Sequence, residues 1–274
     1  MCRHIAYLGP DVPLKHVLCD PEHALYKQSY APRYQRHGTV NADGFGVGWY
    51  APGDPVPARY RRTGPIWADP SFLDLARVVR AGALLAAVRD ATEGTAPDES
   101  AAAPFAADCW LFSHNGAVAG WPGTVAGAAE QLPPRELLGL EARTDSALIW
   151  ALVLHRLRAG SGLGDALAGA VAAIAERTEA RLNLLLTDGT AIAATAWGDS
   201  LWYRHDPGRE VAAASEPFDD RAGWRQVADR TLLLAGPAGV ETVPLPDPWS
   251  SAQPSSAQPS SVHPSSVHSS MEPA

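Results

Sequence analysis

The order of apolar segments along the chain constrains its fold more than any other feature. Short apolar or alternating runs bounded by Gly, Pro or Asn are typical of strands, and the first half of the chain has four, at 4–8, 46–50, 84–88 and 110–114. Apolar residues at helical spacing then predict two helices, at 144–157 and 165–178.

Strands return after the two helices. A hairpin is predicted at 181–197 around an Asp188-Gly189 turn, and three more strands are predicted at 201–204, 210–214 and 231–234. Strands on both sides of a helical pair predict an α+β protein in which helices cover antiparallel sheets.

Composition and charge exclude several classes of partner. The 274 residues carry a net charge of −8 and contain no run of Lys or Arg, so the chain lacks the positive charge that binds nucleic acid or an anionic membrane surface. Its purely apolar stretches, such as 83–88, are far shorter than the roughly 20 residues that span a bilayer, and the N-terminus has no signal-peptide pattern. We therefore expect a cytoplasmic protein that acts on a small molecule; the oligomeric state is left open.

The C-terminal segment differs in composition from the rest of the chain. Residues 249–274 consist largely of Ser/Pro-rich repeats such as Ser-Ser-Ala-Gln-Pro, which have too few large apolar side chains to offset the entropy lost on ordering. We predict a disordered tail there and one folded unit over 2–248. The three cysteines, Cys2, Cys19 and Cys109, lack metal-ligand or disulfide spacing, so no metal site is predicted and the thiols are expected to be free.

Cys2 combines two reactive groups if the initiator Met is removed. The residue then carries a thiol with a reference pKa of about 8.5 and a terminal amine with one of about 7.7–8.0, so the amine can accept the thiol proton near neutrality. One residue would supply both nucleophile and base. From its position alone, the alternative interpretation is that Cys2 serves as a small apolar side chain with no chemical role.

The predicted strand that begins at Trp110 ends in His114-Asn115-Gly116. Asn-Gly is primarily a hairpin signal, so one interpretation is a turn after the strand. The Asn amide and the Gly backbone N–H can also point together toward one oxygen, as the tetrahedral oxyanion of an acyl transfer requires. The residues by themselves leave both interpretations open.

Two charged residues lie at the ends of predicted elements. Arg89 ends the apolar strand at 84–88, where its guanidinium needs an anion, either a protein carboxylate such as Asp90 or the carboxylate of a ligand. Asp145 begins the first predicted helix, where an acidic residue interacts favourably with the helix dipole and could also hold an ammonium group.

The segment 41–50 reads Asn-Ala-Asp-Gly-Phe-Gly-Val-Gly-Trp-Tyr. No helix follows these glycines to present its N-terminus to a phosphate, which argues against a nucleotide loop. The glycines instead alternate with Phe45, Val47 and Trp49, which predicts a strand with one smooth face. Another backbone or a substrate can approach such a face closely.

Taken together, Cys2, Arg89 with Thr92, His114-Asn115-Gly116 and Thr144-Asp145-Ser146 resemble the motif series of class II glutamine amidotransferases, which are N-terminal nucleophile hydrolases. The resemblance covers about residues 2–248. It implies a four-layer αββα sandwich of two antiparallel sheets between helix layers.

The resemblance also implies roles for single residues. Cys2 would attack a γ-glutamyl amide, with Asn115 and Gly116 as the oxyanion donors. The substrate-binding residues would be Arg89 at the glutamate α-carboxylate, Asp145 at its α-ammonium group, Thr92 in the pocket wall, and His114. Many members have Thr or His before the arginine and His after the threonine, whereas this chain has Val88 and Glu93.

A narrower resemblance involves the first ten residues, 39–50, 60–62 and 64–67. These segments resemble the γ-glutamyl hydrolases of bacterial ergothioneine biosynthesis. The implied reaction cleaves γ-glutamyl-hercynylcysteine S-oxide to glutamate and hercynylcysteine S-oxide through a Cys2 thioester, with neither a metal nor an organic cofactor.

Three other hypotheses, two about the function and one about the catalytic base, compete with this one. A glutaminase subunit would pass ammonia to a separate synthase. A non-catalytic module would bind γ-glutamyl compounds without cleaving them. A third possibility retains hydrolysis but uses His114 or His4 as the base for Cys2, as in papain-like enzymes.

Overall fold

The computed structural model describes residues 2–91 and 98–246. Thr92, the end of the predicted folded unit at 248 and the predicted tail at 249–274 lie outside these residues. The described strands form two sheets, and each strand pairs with its neighbours in antiparallel orientation.

The first sheet contains seven strands: β1 (Arg3–Pro13), β2 (Phe45–Trp49), β3 (Ala58–Arg62), β4 (Arg80–Val88), β9 (Trp202–Asp206), β10 (Glu210–Ala214) and β11 (Arg225–Gln226). Their order across the sheet is β11-β9-β10-β1-β4-β2-β3. The strand that carries Cys2 at its start therefore lies at the centre of the sheet, next to the strand that ends before Arg89.

The second sheet contains six strands: β5 (Phe105–Ala107), β6 (Trp110–Val118), β7 (Ala180–Thr187), β8 (Ile192–Ala196), β12 (Thr231–Gly236) and β13 (Gly239–Pro244). Their order is β13-β12-β8-β7-β6-β5. The predicted hairpin at 181–197 is present as β7 and β8.

The α-helices number seven among the described residues: α1 (Lys15–Leu18), α2 (Leu25–Gln28), α3 (Pro70–Val78), α4 (Ala126–Ala129), α5 (Pro134–Leu138), α6 (Asp145–Arg158) and α7 (Leu163–Ala175). The two long helices correspond to the two predicted ones. Helix α6 begins after Thr144, whose hydroxyl oxygen accepts a hydrogen bond from the Ala147 N–H at 3.2 Å and so caps the helix.

Three apolar clusters separate the structure into four layers. One cluster joins α1, α2 and α3 to the outer face of the first sheet, and a second joins α6 and α7 to the outer face of the second sheet. The third lies between the sheets and takes alternate residues of the strands, such as Ala6 and Leu8 of β1 and Leu111 of β6. This arrangement is the predicted four-layer αββα sandwich, and it confirms the α+β fold.

Small residues let the two sheets approach closely. Phe45 and Val47 of β2 point into the outer cluster, while Gly46 and Gly48 face the second sheet. A Cβ at Gly48 would lie 2.6 Å from the Leu111 side chain, and one at Gly46 would meet the carbonyl oxygen of Ala103. The predicted smooth strand face is thus covered by Leu111 of the second sheet and by the segment before β5.

Of the two interpretations left open for Asn115-Gly116, the turn is wrong. Strand β6 continues to Val118, and Asn115 and Gly116 pair with Asn183 and Leu182 of β7. Glycine is needed here for another reason: a Cβ at Gly116 would overlap the carbonyl oxygen of Arg181 on the adjacent strand. Pairing with β7 outweighs the local turn preference of Asn-Gly.

Several short elements have no counterpart in the sequence prediction. They are helices α1 to α5 and strands β3, β5, β11 and β13. Helix α3 has only nine residues, and its start carries a signal that the prediction missed: Pro70 follows Asp69, which caps the helix through the Phe72 N–H at 3.0 Å. Within residues 2–91 and 98–246, no helix has both the length and the apolar character needed to cross a bilayer.

The close contact at Gly46 leads to a stability prediction. We expect Gly46→Ala to lower the free energy of unfolding by about 1–3 kcal/mol, because the added methyl group meets backbone rather than a movable side chain. Urea unfolding measures the change. Gly64→Ala is the matched control, since no atom lies within 4 Å of its added Cβ, and an equal loss in both variants would contradict the packing explanation.

Candidate active site

The start of β1 faces β6 across the space between the sheets. Because Ala6 and Leu8 of β1 point into this space, the alternation of a strand places Cys2 and His4 on the same face. The backbone nitrogen of Cys2 donates to Oδ1 of Asn115 at 3.0 Å. Two residues further along β1 and two residues back along β6, His4 Nδ1 lies 3.2 Å from the Ser113 hydroxyl. These two bonds align the cysteine with the strand that carries Asn115 and Gly116.

Asn115 has an unused donor at the cysteine. Its side chain is fully buried, and its Nδ2 group makes no hydrogen bond to any of the described residues. A buried polar group without a partner is costly, so this amide is suited to bind an oxygen that arrives with a substrate. Gly116, the other predicted oxyanion donor, follows it on the strand and is partly exposed.

Arg89 lies directly after β4, next to β1, and is largely buried. A short loop holds it: its Nη1 donates to the carbonyl oxygen of Asp43 at 3.2 Å, and its backbone N–H donates to that of Gly44 at 2.7 Å. The Asp43 carboxylate also accepts from the Ala91 N–H at 2.8 Å. The Asp43-Gly44 pair that precedes the glycine-rich strand therefore positions the segment around Arg89.

Asp145 connects the end of β6 to the start of α6. Its Oδ2 accepts from the Val118 N–H at 3.1 Å, and its Oδ1 accepts from the Ser146 N–H at 2.7 Å. These bonds fix the carboxylate two residues beyond Gly116 on the strand. The side chain is partly exposed, so a ligand can reach it.

The charges of Arg89 and Asp145 both act on the Cys2 thiol. Burial raises the pKa of this thiol above its ordinary value; the positive charge of Arg89 and a backbone hydrogen bond from Asp90 oppose the rise, while the negative charge of Asp145 adds to it. Opposite charges thus lie within electrostatic range of one sulfur atom. Such a pair matches the carboxylate and ammonium groups of an amino acid.

His114 is held by protein groups on both sides of its ring. Nδ1 lies 2.9 Å from the Ser146 hydroxyl, and Nε2 lies 3.0 Å from the carbonyl oxygen of Arg181. Both ring nitrogens are therefore engaged, and the histidine joins β6 to α6 and β7. This geometry does not support His114 as a base for Cys2, and its assignment to substrate binding remains a prediction.

His4 is fully buried, and burial lowers its pKa to about 3, with Arg3 and His114 contributing in the same direction. The residue is neutral at physiological pH and contacts Ser113 rather than the thiol. These properties favour a structural role for His4 between the sheets.

Three polar residues beside the site were not predicted from the sequence. Asn183, opposite Asn115 on β7, accepts from the Trp197 N–H at 2.9 Å and donates to the carbonyl oxygen of Asp199 at 3.0 Å. Arg181 forms an ion pair with Asp199, with Nε and Oδ2 3.1 Å apart. An Asn within the apolar run Leu182-Asn183-Leu184 was the one available signal in the sequence.

One group of possible metal ligands lies elsewhere on the surface. Ligand atoms of Glu22, His23 and Asp220 lie within 4.8 Å of one another, and both acidic residues are exposed. His23 and Asp220 already form an ion pair at 3.3 Å. Nothing connects this group to the residues around Cys2, so no role is assigned to it.

Comparison with known sequences gives two kinds of match. A sequence model of the family described as "Glutamine amidotransferases class-II" matches residues 24–254. The γ-glutamyl-hercynylcysteine sulfoxide hydrolase of Mycolicibacterium smegmatis is 42% identical over 246 residues, which cover 89% of this chain and 100% of the relative. The protein of the same name from Mycobacterium tuberculosis (strain CDC 1551 / Oshkosh) is 40% identical over 242 residues, covering 88% of this chain and 95% of the relative.

A solved structure agrees with the fold. A glutamine aminotransferase class-II domain protein from Silicibacter pomeroyi superposes with a TM-score of 0.66 at 25% identity, covering 89% of this chain and 99% of that chain. The family match starts at residue 24 and so does not include Cys2, whose assignment therefore rests on its contacts with Asn115 and its place beside Arg89 and Asp145.

The buried, neutral His4 leads to a prediction about pH and stability. Below about pH 6.5 the unfolded chain binds a proton at this residue, whereas the folded protein excludes that proton until about pH 3. His4 therefore lowers stability as the pH falls through this window, by roughly 2–3 kcal/mol at pH 4.5. Urea unfolding of the wild type and of His4→Gln at pH 7 and pH 4.5 measures the difference.

We expect His4→Gln to lose less stability than the wild type between these two pH values. His16→Gln is the control, because His16 is exposed on α1 and lies next to Asp20 at 3.6 Å; it should follow the wild type. If His4→Gln also follows the wild type, His4 is not the residue that titrates on unfolding.

Proposed function

Because the chain belongs to the class-II glutamine amidotransferases, we propose that it is a γ-glutamyl amide hydrolase that releases glutamate from γ-glutamyl-hercynylcysteine S-oxide in ergothioneine biosynthesis. The observation that carries this proposal is the arrangement at Cys2: its nitrogen donates to Asn115, Arg89 follows the strand that pairs with β1, and Asp145 is bonded to the strand that carries Asn115. The similarity to relatives that bear this activity in their names, over nearly their full length, supports the choice of substrate.

The glutamyl part of the substrate provides two charges for two protein charges. Arg89 pairs with the α-carboxylate through its planar guanidinium, which suits bidentate binding. Asp145 accepts from the α-ammonium group. We assign Thr92 to glutamate binding as well, from the motif that it shares with Arg89. These contacts place the γ-carbonyl carbon at the Cys2 sulfur.

The first chemical step forms a thioester. Removal of Met1 leaves a free amine on Cys2, and this amine takes the thiol proton as the sulfur attacks the γ-carbonyl carbon. The C–S bond forms, and the carbonyl electron pair moves to the oxygen, which Asn115 Nδ2 and the Gly116 N–H stabilise. The carbonyl then re-forms as the C–N bond breaks, and the amine returns the proton to the leaving nitrogen.

The second step consumes water. The amine of Cys2 takes a proton from a water molecule, whose oxygen attacks the thioester carbon. The same donors stabilise the second oxyanion, the C–S bond breaks, and the thiol regains the proton while glutamate leaves. Neither step of this scheme calls for a metal or an organic cofactor.

The proposal extends to location and domain organisation. Cys2, Cys19 and Cys109 are all free thiols, as is common in a reducing compartment, and this supports action in the cytoplasm. We assign catalysis to the unit at 2–248 and give the tail at 249–274 no part in it. The chain's net charge of −8 is consistent with a small-molecule substrate rather than nucleic acid or a membrane.

Glutamate release from two substrates tests the proposed function. We expect Met-processed protein, verified by mass, to release glutamate rapidly from γ-glutamyl-hercynylcysteine S-oxide and only slowly from glutamine. Cys2→Ala should abolish the release, because no other group in the scheme can form the thioester. Cys109→Ala is the matched control, since this partly exposed thiol lies on the turn before β6, and it should retain activity.

The other outcomes separate the competing functions. Preference for glutamine would identify a glutaminase that supplies ammonia to a synthase. Binding of both compounds without Cys2-dependent release would identify a non-catalytic γ-glutamyl-binding module.

Substitution of Asn115 tests the oxyanion assignment. We expect Asn115→Ala to lower kcat by about 10²–10³, the usual effect of losing one such donor. Asn115→Asp retains an oxygen acceptor for the Cys2 nitrogen but replaces the donor, so we expect it to be impaired as well. Steady-state kinetics and urea unfolding of both variants make the measurement. An Asp variant with kcat within threefold of the wild type would limit Asn115 to positioning Cys2.

A further inference from the structure

Arg181 lies beside the candidate oxyanion residues. In the β6–β7 pairing, Asn115 is opposite Asn183 and Ala117 is opposite Arg181. Arg181 is therefore the diagonal neighbour of Asn115 on the same face of the sheet, where Cβ atoms are about 7–8 Å apart. A group attached close to the scissile nitrogen would lie within reach of this arginine.

The arginine is held in one orientation. Its Nε donates to Oδ2 of Asp199 at 3.1 Å, and the Asp199 side chain is only 3% exposed. Gly198, at φ +86°, supports the aliphatic part of the side chain, since a Cβ there would lie 2.9 Å from Arg181 Cγ. The backbone at Gly198 and the carboxylate of Asp199 thus restrict the guanidinium before any ligand binds.

The outer end of the guanidinium remains available. The Arg181 side chain is 29% exposed, and its two terminal Nη groups make no hydrogen bond to a residue within 2–91 or 98–246. Two parallel N–H donors on a fixed, partly exposed fork match the geometry of a carboxylate.

Arg181 lines a cavity of about 820 Å³. Its wall includes Ala117 and Val118, the two residues that follow Gly116, so it begins next to the candidate oxyanion site. Arg177, Arg181 and Arg230 line it together with a single acidic residue, Glu179. Arg177 and Arg230 form ion pairs with Glu176 at 3.7 Å and Asp229 at 4.0 Å, whereas the Nη groups of Arg181 are available to an anionic group.

We propose that Arg181 binds the carboxylate of the leaving amino acid, the one attached to the carbon next to the scissile nitrogen. This inference rests on the proposed function and deepens it. The leaving group of glutamine is ammonia, which has no carboxylate. Arg181 therefore favours substrates in which the γ-glutamyl group is joined to an amino acid over glutamine itself. Arg181 is then a specificity-determining residue, and Asp199 positions it.

A matched pair of substrates tests the role of Arg181. One is γ-glutamyl-hercynylcysteine S-oxide, and the other is the same compound with its cysteine carboxylate converted to a neutral amide. We expect the wild type to have the higher kcat/KM for the acid. Arg181→Lys keeps a positive charge next to Asp199 but loses the fork, and should reduce the acid-to-amide ratio of kcat/KM by about 10- to 100-fold, chiefly through KM.

Additional variants address folding. Removal of Arg181 alone would leave the buried Asp199 carboxylate without its cation, so the pair Arg181→Gln with Asp199→Asn removes both charges together and should also lose the acid preference. Arg80→Gln is the control, because Arg80 lies at the end of β4 far from Arg89 and forms an ion pair with Asp11 at 3.3 Å. It should keep the wild-type ratio.

The results separate the two proposals. An acid-to-amide ratio that is unchanged in both Arg181 variants, with Cys2-dependent glutamate release intact, would overturn the role of Arg181 and leave the hydrolase function standing. Absence of Cys2-dependent release from both compounds in the wild type would refute the hydrolase function, and the inference about Arg181 with it.

Discussion

Close packing of the two sheets is the constraint on which the rest of the structure depends. The hydrogen bond from the Cys2 nitrogen to Asn115 joins residues 113 positions apart in the chain, and it forms only because β1 and β6 face each other at short range. Small residues such as Ala6, Gly46 and Gly48 allow the two sheets to approach this closely. Larger side chains there would separate the nucleophile from the amide that is proposed to stabilise its oxyanion.

The site is built from the ends of elements that the sheets hold in register. Arg89 follows β4, Asp145 precedes α6, and each is fixed by backbone groups of another segment, the Asp43-Gly44 loop and Val118 respectively. Charged groups that are oriented before substrate binds lose little entropy on binding it. The same principle applies to Arg181, which Asp199 orients at the edge of the site.

The histidines near the site have structural partners, and this bears on the chemistry. His114 joins β6 to α6 and β7, and the neutral, buried His4 joins the two sheets. His114 has partners at both ring nitrogens, and burial lowers the pKa of His4 to about 3, which makes it a weak base. The proposed base is therefore the terminal amine of Cys2, which is attached to the nucleophile and whose nitrogen lies 3.0 Å from Asn115. A catalytic unit of this kind depends on removal of Met1 rather than on a separate general base.

The sequence by itself determined the order of strands and helices, the α+β class and the positions of Cys2, Arg89 and Asp145 at element ends, because hydrophobic periodicity and capping are local properties. The motif resemblance added the four-layer arrangement. Only the tertiary structure decided that Asn115 and Gly116 lie within a strand, and that Asn183, Arg181 and Asp199 adjoin them. Those positions depend on pairing between segments more than 60 residues apart, which no local pattern encodes. A turn signal is overridden once a partner strand forms hydrogen bonds with the same backbone groups.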